Sequence, residues 1–268
     1  MKTNYYCGLL SLVCLLPFDS TAVTNCIQIP SWRLVAGYVD ISPGFPPGFP
    51  PPSSFTHLLK PVGTFDPIFY AHTRIGNMWS PSVPTTSPGG GFIVSSGTAC
   101  FPDTLPSPVL PLNLPAGFSL VCCQTYEVAT FEMIVGRSPD SGTQLYKVRS
   151  GPEYGASWPL NETNYLIYTF ADGVWSPEAP TVGVAEAVWI FQPPIISNPR
   201  IVADKFNLEV LTANRANTAV EYKAALEATN FWEVLTNFVG WGNVSNVVDN
   251  ADINSITQRF YRVKLLKN

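Results

Sequence analysis

The chain has 268 residues, of which 46% are hydrophobic and 13% are charged, and its formal net charge is −4. This composition is too apolar for a disordered protein, which needs low hydrophobicity and high charge. No basic run of Lys and Arg is present, and this absence argues against a nucleic-acid-binding protein. The 26 prolines and 19 glycines favour short strands joined by turns over long helices.

The N-terminal residues have the three-part layout of a secretory signal. Lys2 gives a positive start, residues 7–18 (CGLLSLVCLLPF) form an apolar stretch, and Ser20 and Ala22 supply the small residues of a cleavage site. The apolar stretch is shorter than the about 20 residues of a transmembrane helix, and Pro or charge interrupts every later one. We therefore predict a signal peptide over residues 1–22, a secreted or cell-surface mature protein, and no integral membrane span.

Removal of this signal leaves four cysteines, Cys26, Cys100, Cys122 and Cys123. In an oxidising compartment, four cysteines can form two disulfides. Neighbouring strand residues point to opposite faces, so at most one of Cys122 and Cys123 faces a given partner. We expect one bridge that joins Cys26 or Cys100 to one member of the adjacent pair. The alternative is that the thiols stay free and pack as small hydrophobes.

A seven-residue motif occurs twice in the chain. Residues 79–85 (WSPSVPT) recur as residues 175–181 (WSPEAPT), so the two copies lie 96 residues apart. Downstream, residues 91–94 (GFIV) align with residues 187–190 (AVWI), and upstream, residues 47–49 (PGF) match residues 115–118 (PAGF). Such identities indicate an internal duplication. We predict two β-repeats, over residues 23–113 and residues 114–194.

The two copies have different lengths, because Trp79 lies 30 positions after Phe49 whereas Trp175 lies 57 positions after Phe118. We expect the extra residues, around 142–148, to form a hairpin on the surface. Residues 118–121 (FSLV) and 165–170 (YLIYTF) have the composition of strands, and residues 172–173 (DG) form a hairpin-turn signal after the second of them. Each proline-containing motif is expected to be a loop that leads into an apolar strand.

The last segment, residues 195–268, has the cleanest alternation of apolar and polar side chains. Phe206, Leu208 and Val210 alternate with polar residues, as they do on a strand with one buried face. The predicted fold class is therefore all-β, with two degenerate tandem β-repeats and a small C-terminal β-sandwich-like module.

Residues 37–40 (GYVD), 145–147 (LYK) and 173–177 (GVWSP) resemble a tandem repeat of uncharacterised secreted proteins from verrucomicrobial and planctomycete-type bacteria. Residues 220–222 (VEY), 232–235 (WEVL) and 259–263 (RFYRV) are similar to the small C-terminal β-sandwich module of the same proteins. The repeat endings here, residues 89–92 (GGGF) and 185–189 (AEAVW), depart from the usual Gly-Glu-Gly-Phe-Phe. The resemblance implies export and a modular β architecture, and it implies no activity.

The residues that carry chemistry form no recognisable catalytic, metal or cofactor pattern. The chain has two histidines, His57 and His72, and neither accompanies a Gly-x-Ser-x-Gly elbow. The sequence does not single out two carboxylates at glycosidase spacing among its 19 acidic residues. We therefore predict no catalytic residue, no cofactor and no metal site, and a protein that is not an enzyme.

Aromatic side chains in loops are the candidate ligand contacts, because sugars stack on exposed rings with a polar rim. Trp79 and Trp175 recur at the same position of the motif, so we interpret them as core residues. Trp158, Trp241 and Tyr154 lie outside the motif and beside Pro, Gly or Glu, and we select them as possible contacts.

Three functions follow from these features. We favour a secreted or cell-surface protein with a structural or binding role toward a polysaccharide or another surface component. The first alternative is a carbohydrate-binding module that uses the exposed aromatic residues. The second alternative is an extracellular hydrolase with an unrecognised pair of carboxylates.

Overall fold

The computed structural model describes residues 25–29, 32–37, 57–62, 67–76, 78–87, 89–95, 97–101, 107–151, 153–213, 215–225, 231–252, 254 and 258–266. Within these residues the protein is almost entirely β-sheet, with one short helix, and the predicted all-β class is confirmed. The predicted signal peptide and the match at residues 47–49 lie outside the described residues. No described helix is long and apolar enough to cross a membrane.

The first sheet is antiparallel and contains five strands, β2 (Arg33–Ala36), β3 (His57–Val62), β4 (Ile68–Ile75), β5 (Met78–Ser80) and β6 (Gly91–Val94). Their order across the sheet is β2-β6-β3-β4-β5. A separate ribbon pairs β1 (Asn25–Ile29) with β7 (Gly97–Phe101). All four residues of β6 are buried, so this strand is covered on both faces.

The second sheet also has five antiparallel strands, β8 (Gly117–Cys122), β10 (Gln144–Val148), β11 (Tyr165–Ala171), β12 (Val174–Ser176) and β14 (Ala187–Gln192). Their order is β12-β11-β10-β14-β8. A short pair, β9 (Ala129–Thr130) with β13 (Thr181–Val182), and the helix α1 (Phe131–Val135) pack against its outer face. Its inner face shares one hydrophobic core with the first sheet.

The last part of the chain forms two three-stranded sheets. One contains β15 (Ile195–Val202), β16 (Lys205–Leu211) and β19 (Val244–Asp249), and the other contains β17 (Asn217–Lys223), β18 (Glu233–Val239) and β20 (Phe260–Leu266). Leu208, Val210, Val220 and Val247 are buried between them. The apolar residues of the alternation in β16 therefore form the buried face of this strand in a sandwich.

A buried ion pair connects the two sheets of this sandwich at one edge. Asp249 on β19 is 2% exposed and accepts hydrogen bonds from Arg259, from the Tyr261 hydroxyl at 2.8 Å and from the Ala251 N–H at 2.9 Å. The guanidinium of Arg259 lies 4.0 Å from the ring centre of Tyr222 on β17. These contacts join strands of both sheets, so they hold the sandwich closed on that side.

The predicted hairpin turn between β11 and β12 is confirmed. Asp172 and Gly173 have φ values of 53° and 81°, and the two flanking strands are paired. Positive φ at both central residues is the requirement of a type I′ turn, which explains the Asp-Gly sequence.

Two local expectations are wrong, one for the second copy and one for the motif in both copies. Residues 144–148 do not form a surface hairpin, because β10 lies between β11 and β14 and buries Leu145 and Tyr146. The tryptophans of the two motifs are not in loops, because Trp79 and Trp175 lie on the short edge strands β5 and β12. In both copies the loop begins at the first proline, where the backbone loses a ladder donor, and in the second copy it ends before Thr181 on β13.

The two five-stranded sheets have the same strand order, with β2, β6, β3, β4 and β5 in the places of β8, β14, β10, β11 and β12. The pairing registers agree as well. Arg74 is opposite Trp79 on β5, and Phe170 is opposite Trp175 on β12, so both members of the pair shift by 96 positions. The register of β3 with β4 also maps onto that of β10 with β11, with a shift of 96 positions from β4 to β11 and of 87 positions from β3 to β10.

Candidate ligand clefts between the two sheets

The two sheets meet at a junction where each contributes the same pair of elements. Val35 on β2 forms a bridge with Glu186, and Val121 on β8 forms a bridge with Gly90. Gly90 and Glu186 are 96 positions apart, and Val35 and Val121 occupy equivalent registers next to β6 and β14. The junction therefore has a quasi-two-fold arrangement, as in an isologous dimer interface.

Backbone hydrogen bonds repeat this symmetry. The Ala36 N–H donates to the Ala185 carbonyl at 2.9 Å, and the Cys122 N–H donates to the Gly89 carbonyl at 2.8 Å. Gly89 and Ala185 are again 96 positions apart, and both have positive φ, at 73° and 62°. Each half thus offers its carbonyl to a strand of the other half, which fixes their relative position.

Gly91 and Ala187 face each other across this quasi-two-fold axis. A Cβ atom added to Gly91 would lie 2.6 Å from the Ala187 Cβ and 2.9 Å from the Val35 carbonyl oxygen. Only one methyl group therefore fits at the axis, and the second half supplies it.

Two clefts flank the junction, one on each side. The first cleft has a volume of about 380 Å³ and combines hydroxyl, amide and lysine groups with apolar side chains. Its lining includes Lys60, Thr86, Ser87, Asn113, Ser119 and Leu120, together with the backbone of residues 89–91. The second cleft has a volume of about 250 Å³ and is lined by Arg33, Leu34, Val35, Arg149, Glu186 and their neighbours.

The clefts occupy equivalent places in the two halves. Residues 119–121 and 89–91 line the first cleft, and their counterparts, residues 33–35 and 185–187, line the second cleft. The side chains that fill these places differ, so the clefts differ in chemistry although they share a backbone frame.

An internal ion pair neutralises the charge of Lys147 in the second half. The Lys147 ammonium lies 2.9 Å from a carboxylate oxygen of Glu186, and the Gly183 N–H donates to the same oxygen at 2.7 Å. Lys60 has the register position of Lys147, because Lys60 is opposite Tyr70 on β4 and Lys147 is opposite Leu166 on β11. The first half carries Gly90 where the second half carries Glu186, so the carboxylate is missing there.

The second cleft is also crossed by an arginine that joins the halves. The Arg33 guanidinium donates to the carbonyl of Arg149 at 3.2 Å and to that of Gly151. Burial lowers the pKa of Arg33, and the nearby carboxylates of Glu153 and Glu186 act in the opposite direction. The Arg33 guanidinium is thus held by carbonyl groups of the protein. The first cleft, which is larger and contains no such arginine among its described lining residues, is the better candidate site.

A cluster of aromatic rings between the two sheets includes Trp158, one of the predicted contact residues. Trp158 is half-buried, and its ring centre lies 5.2 Å from that of Phe118 and 5.5 Å from that of Trp189. Trp189 is 1% exposed and makes a further edge contact with Phe69 at 6.4 Å. Trp158 therefore packs against the shared core.

The other two predicted contacts lie elsewhere. Tyr154 is half-buried in the segment after β10, where its N–H donates to the Gly151 carbonyl. Trp241 is 73% exposed in the turn between β18 and β19. The structure thus places Trp241 on the sandwich and the other two residues beside the second sheet.

The cysteines do not form the expected bridge to the adjacent pair. Cys100 is disulfide-bonded, and the β1–β7 register places it opposite Cys26. Cys122 and Cys123 are both free and buried, because Cys122 belongs to the core between the sheets and Cys123 to the outer core. Burial raises the pKa of Cys122 to about 11, so its thiol is protonated at neutral pH.

The most buried carboxylates of the described residues are Asp249 and Glu221, and each binds an arginine. Asp249 pairs with Arg259, and Glu221 lies 2.6 Å from Arg262. Among the described residues, no group of three or more His, Cys, Asp or Glu side chains could hold a metal ion. His72 is buried, and its Nδ1 lies 2.8 Å from the Ser82 carbonyl oxygen.

Sequence reasoning missed Lys60 and the polar groups around it. The contrast between residues 89–91 (GGG) and 185–187 (AEA) was visible in the alignment, but the equivalence of Lys60 and Lys147 depends on strand register. Comparison of the chain with family models, curated proteins and solved structures found no match.

Proposed function

We propose that this protein is an exported, non-enzymatic binding protein that holds a small or extended ligand in the first cleft. The observation that carries the proposal is the cleft itself, about 380 Å³ between two sheets, within the size range of small-molecule sites, ~300–1,000 Å³. Apolar walls with a few placed polar groups are the usual composition of such sites. Lys60, Thr86, Ser87, Asn113 and Ser119 supply those groups here.

Export is supported by the N-terminal sequence and by the cysteines. Residues 1–22 have the layout of a cleaved signal, and Cys100 is disulfide-bonded. Cys26 is the partner that we propose for Cys100, because the two residues are directly opposite in an antiparallel pair. A disulfide of this kind persists in an oxidising compartment.

We also propose that the two five-stranded sheets arose by duplication of one unit. The repeated motif, the equal strand orders and the 96-residue shift of the registers support this origin. A duplicated unit can keep one half as scaffold while the other half changes its side chains. The first half lacks the internal carboxylate, because Gly90 stands where the second half has Glu186. We therefore assign ligand binding to the first cleft.

A second candidate function is carbohydrate binding by the C-terminal sandwich. Trp241 favours it, because the residue is 73% exposed in the turn that connects β18 to β19. Exposed Trp rings provide the apolar platform on which sugar faces stack. This surface lies on a different module from the first cleft, so the two candidates can be tested separately.

Binding of the secreted chain to a glycan array, with two variants, tests the proposal. When the full chain is expressed, the mature protein should be recovered outside the producing cell with Val23 as its first residue, as N-terminal sequencing would report. Ser119→Trp fills the first cleft, and we expect it to abolish binding, whereas Trp241→Ala should leave binding unchanged. Loss of binding in Trp241→Ala alone would favour the sandwich surface instead, and recovery of the chain inside the cell with Met1 intact would refute export.

A further inference from the structure

We infer that the first cleft recognises a carboxylate group on a hydroxylated ligand, as in the uronic acid units of acidic polysaccharides. This inference rests on the proposed binding function and names the class of ligand. In the second half, the carboxylate of Glu186 occupies the place that the ligand carboxylate would occupy in the first half.

The carboxylate of Glu186 is held by two donors. One of its oxygens receives the Lys147 ammonium at 2.9 Å and the Gly183 N–H at 2.7 Å. The Lys147 ammonium also donates to the Thr181 carbonyl at 2.8 Å, which fixes its position. A lysine and a backbone N–H that converge on one oxygen form a charge-assisted carboxylate site.

The first half keeps the donor positions and lacks the acceptor. Lys60 stands in the register of Lys147, and Ser87 and Gly90 stand 96 positions before Gly183 and Glu186. Glycine has no side chain, so nothing at position 90 reaches the lysine. Among the described residues Lys60 forms no ion pair, and no Asp or Glu lines the cleft.

The rest of the lining fits a ligand that carries hydroxyl groups. Thr86, Ser87 and Ser119 can each donate and accept, and the Asn113 amide can do both. Leu112, Leu114 and Leu120 add apolar side chains to the same lining. A sugar ring presents the same combination of hydroxyl edges and an apolar face.

The number of charges favours a carboxylate over a phosphate. Among the described residues that line the cleft, Lys60 is the only charged side chain, and none of them is an arginine. Phosphate recognition in proteins commonly uses arginine forks or several N–H groups. A single negative charge on a carboxylate matches the single positive charge of Lys60.

Titration calorimetry with a trigalacturonate and with its neutral methyl ester tests this ligand class. The wild-type chain should bind the acid at least about tenfold more tightly than the ester, as expected for hydrogen bonds to a charged group. Lys60→Met should remove that preference, and Lys264→Met, on the exposed side of β20, is the matched control that should keep it. Because surface charges are screened by salt, the preference should shrink as ionic strength rises.

A second variant places a glutamate of the protein itself at position 90, where the first half lacks the carboxylate. A Cβ at position 90 would lie 2.3 Å from the Thr86 hydroxyl oxygen, so Gly90→Glu is combined with Thr86→Ala. The double variant should mimic Glu186 and bind the acid at least about tenfold more weakly, while Thr86→Ala alone should retain most of the affinity. Circular dichroism confirms that each variant is folded.

The outcomes separate the inference from the proposed function. Equal affinity for acid and ester, with no effect of Lys60→Met but loss of binding in Ser119→Trp, would overturn the carboxylate assignment and leave the cleft as the binding site. Binding of the acid that survives Ser119→Trp and the double variant would overturn both.

Discussion

Replacing Trp189 with alanine is expected to lower the free energy of unfolding by about 3–5 kcal/mol, as measured by denaturant titration. Trp189 is 1% exposed on β14, and its ring contacts those of Phe69 and Trp158 between the two sheets. Removing the indole deletes buried apolar area and leaves a cavity that strands of two sheets cannot easily close.

The matched control for this change is Trp241→Ala. Trp241 is 73% exposed, so its removal should alter stability by no more than about 0.5 kcal/mol. The same residue type thus gives opposite results at the two positions. A similar small loss at both positions would mean that the two sheets do not share a core.

Asp249→Asn is expected to destabilise the chain by about 3–5 kcal/mol, because it leaves the guanidinium of Arg259 without its counter-charge. The expected value lies toward the lower end, since the Arg259 side chain keeps 18% exposure. Burial acts to raise the pKa of Asp249, but the hydrogen bonds from Ala251, Tyr261 and Arg259 outweigh it and hold the pKa below its usual value.

The depressed pKa of Asp249 makes its contribution depend on pH in a defined direction. In the unfolded chain an Asp titrates near about 3.9, so the stabilisation is complete above that pH and is lost as pH falls through the lower native value. The stability difference between wild type and Asp249→Asn should therefore narrow below about pH 4. A difference that stays constant down to about pH 2 would contradict this role. Urea titrations across this pH range measure it.

The strands that the sequence predicted well are those with a local signal. β11 and its Asp172-Gly173 turn were predicted because the turn type requires those residues, and β16 was predicted because one of its faces is polar. β10 was missed because its role as an inner strand depends on pairing with β14, whose paired residues lie 43 to 47 positions later. The second copy is longer than the first, and this difference suggested that residues 142–148 are an insertion. In the structure, β10 instead occupies the place that β3 has in the first sheet.

The candidate site depended on tertiary information for the same reason. Trp158 has the sequence surroundings of a loop residue, yet it packs into an aromatic cluster that three other elements build. Lys60 belongs to no sequence motif. Its equivalence to Lys147 appears only from the strand registers, and the first half carries Gly90 where the second half carries Glu186. Sequence spacing alone cannot show which side chains two sheets bring together.

The quasi-two-fold junction positions both clefts, and Gly91 and Ala187 lie at its axis. Gly91→Ala places two methyl groups in space for one, with an expected cost of about 1–3 kcal/mol. Ala187→Gly alone should also destabilise, by about 1 kcal/mol, because glycine weakens a strand and a buried methyl is lost.

The stability of the double variant Gly91→Ala with Ala187→Gly is the most direct measurement of this junction. It moves the single methyl to the other half, so quasi-two-fold pairing predicts that the double variant is more stable than Gly91→Ala by about 0.5–3 kcal/mol. Gly183→Ala, whose added Cβ would approach only the Glu186 side chain, at 3.3 Å, serves as the control. Additive losses in the double variant would contradict the pairing of the two halves.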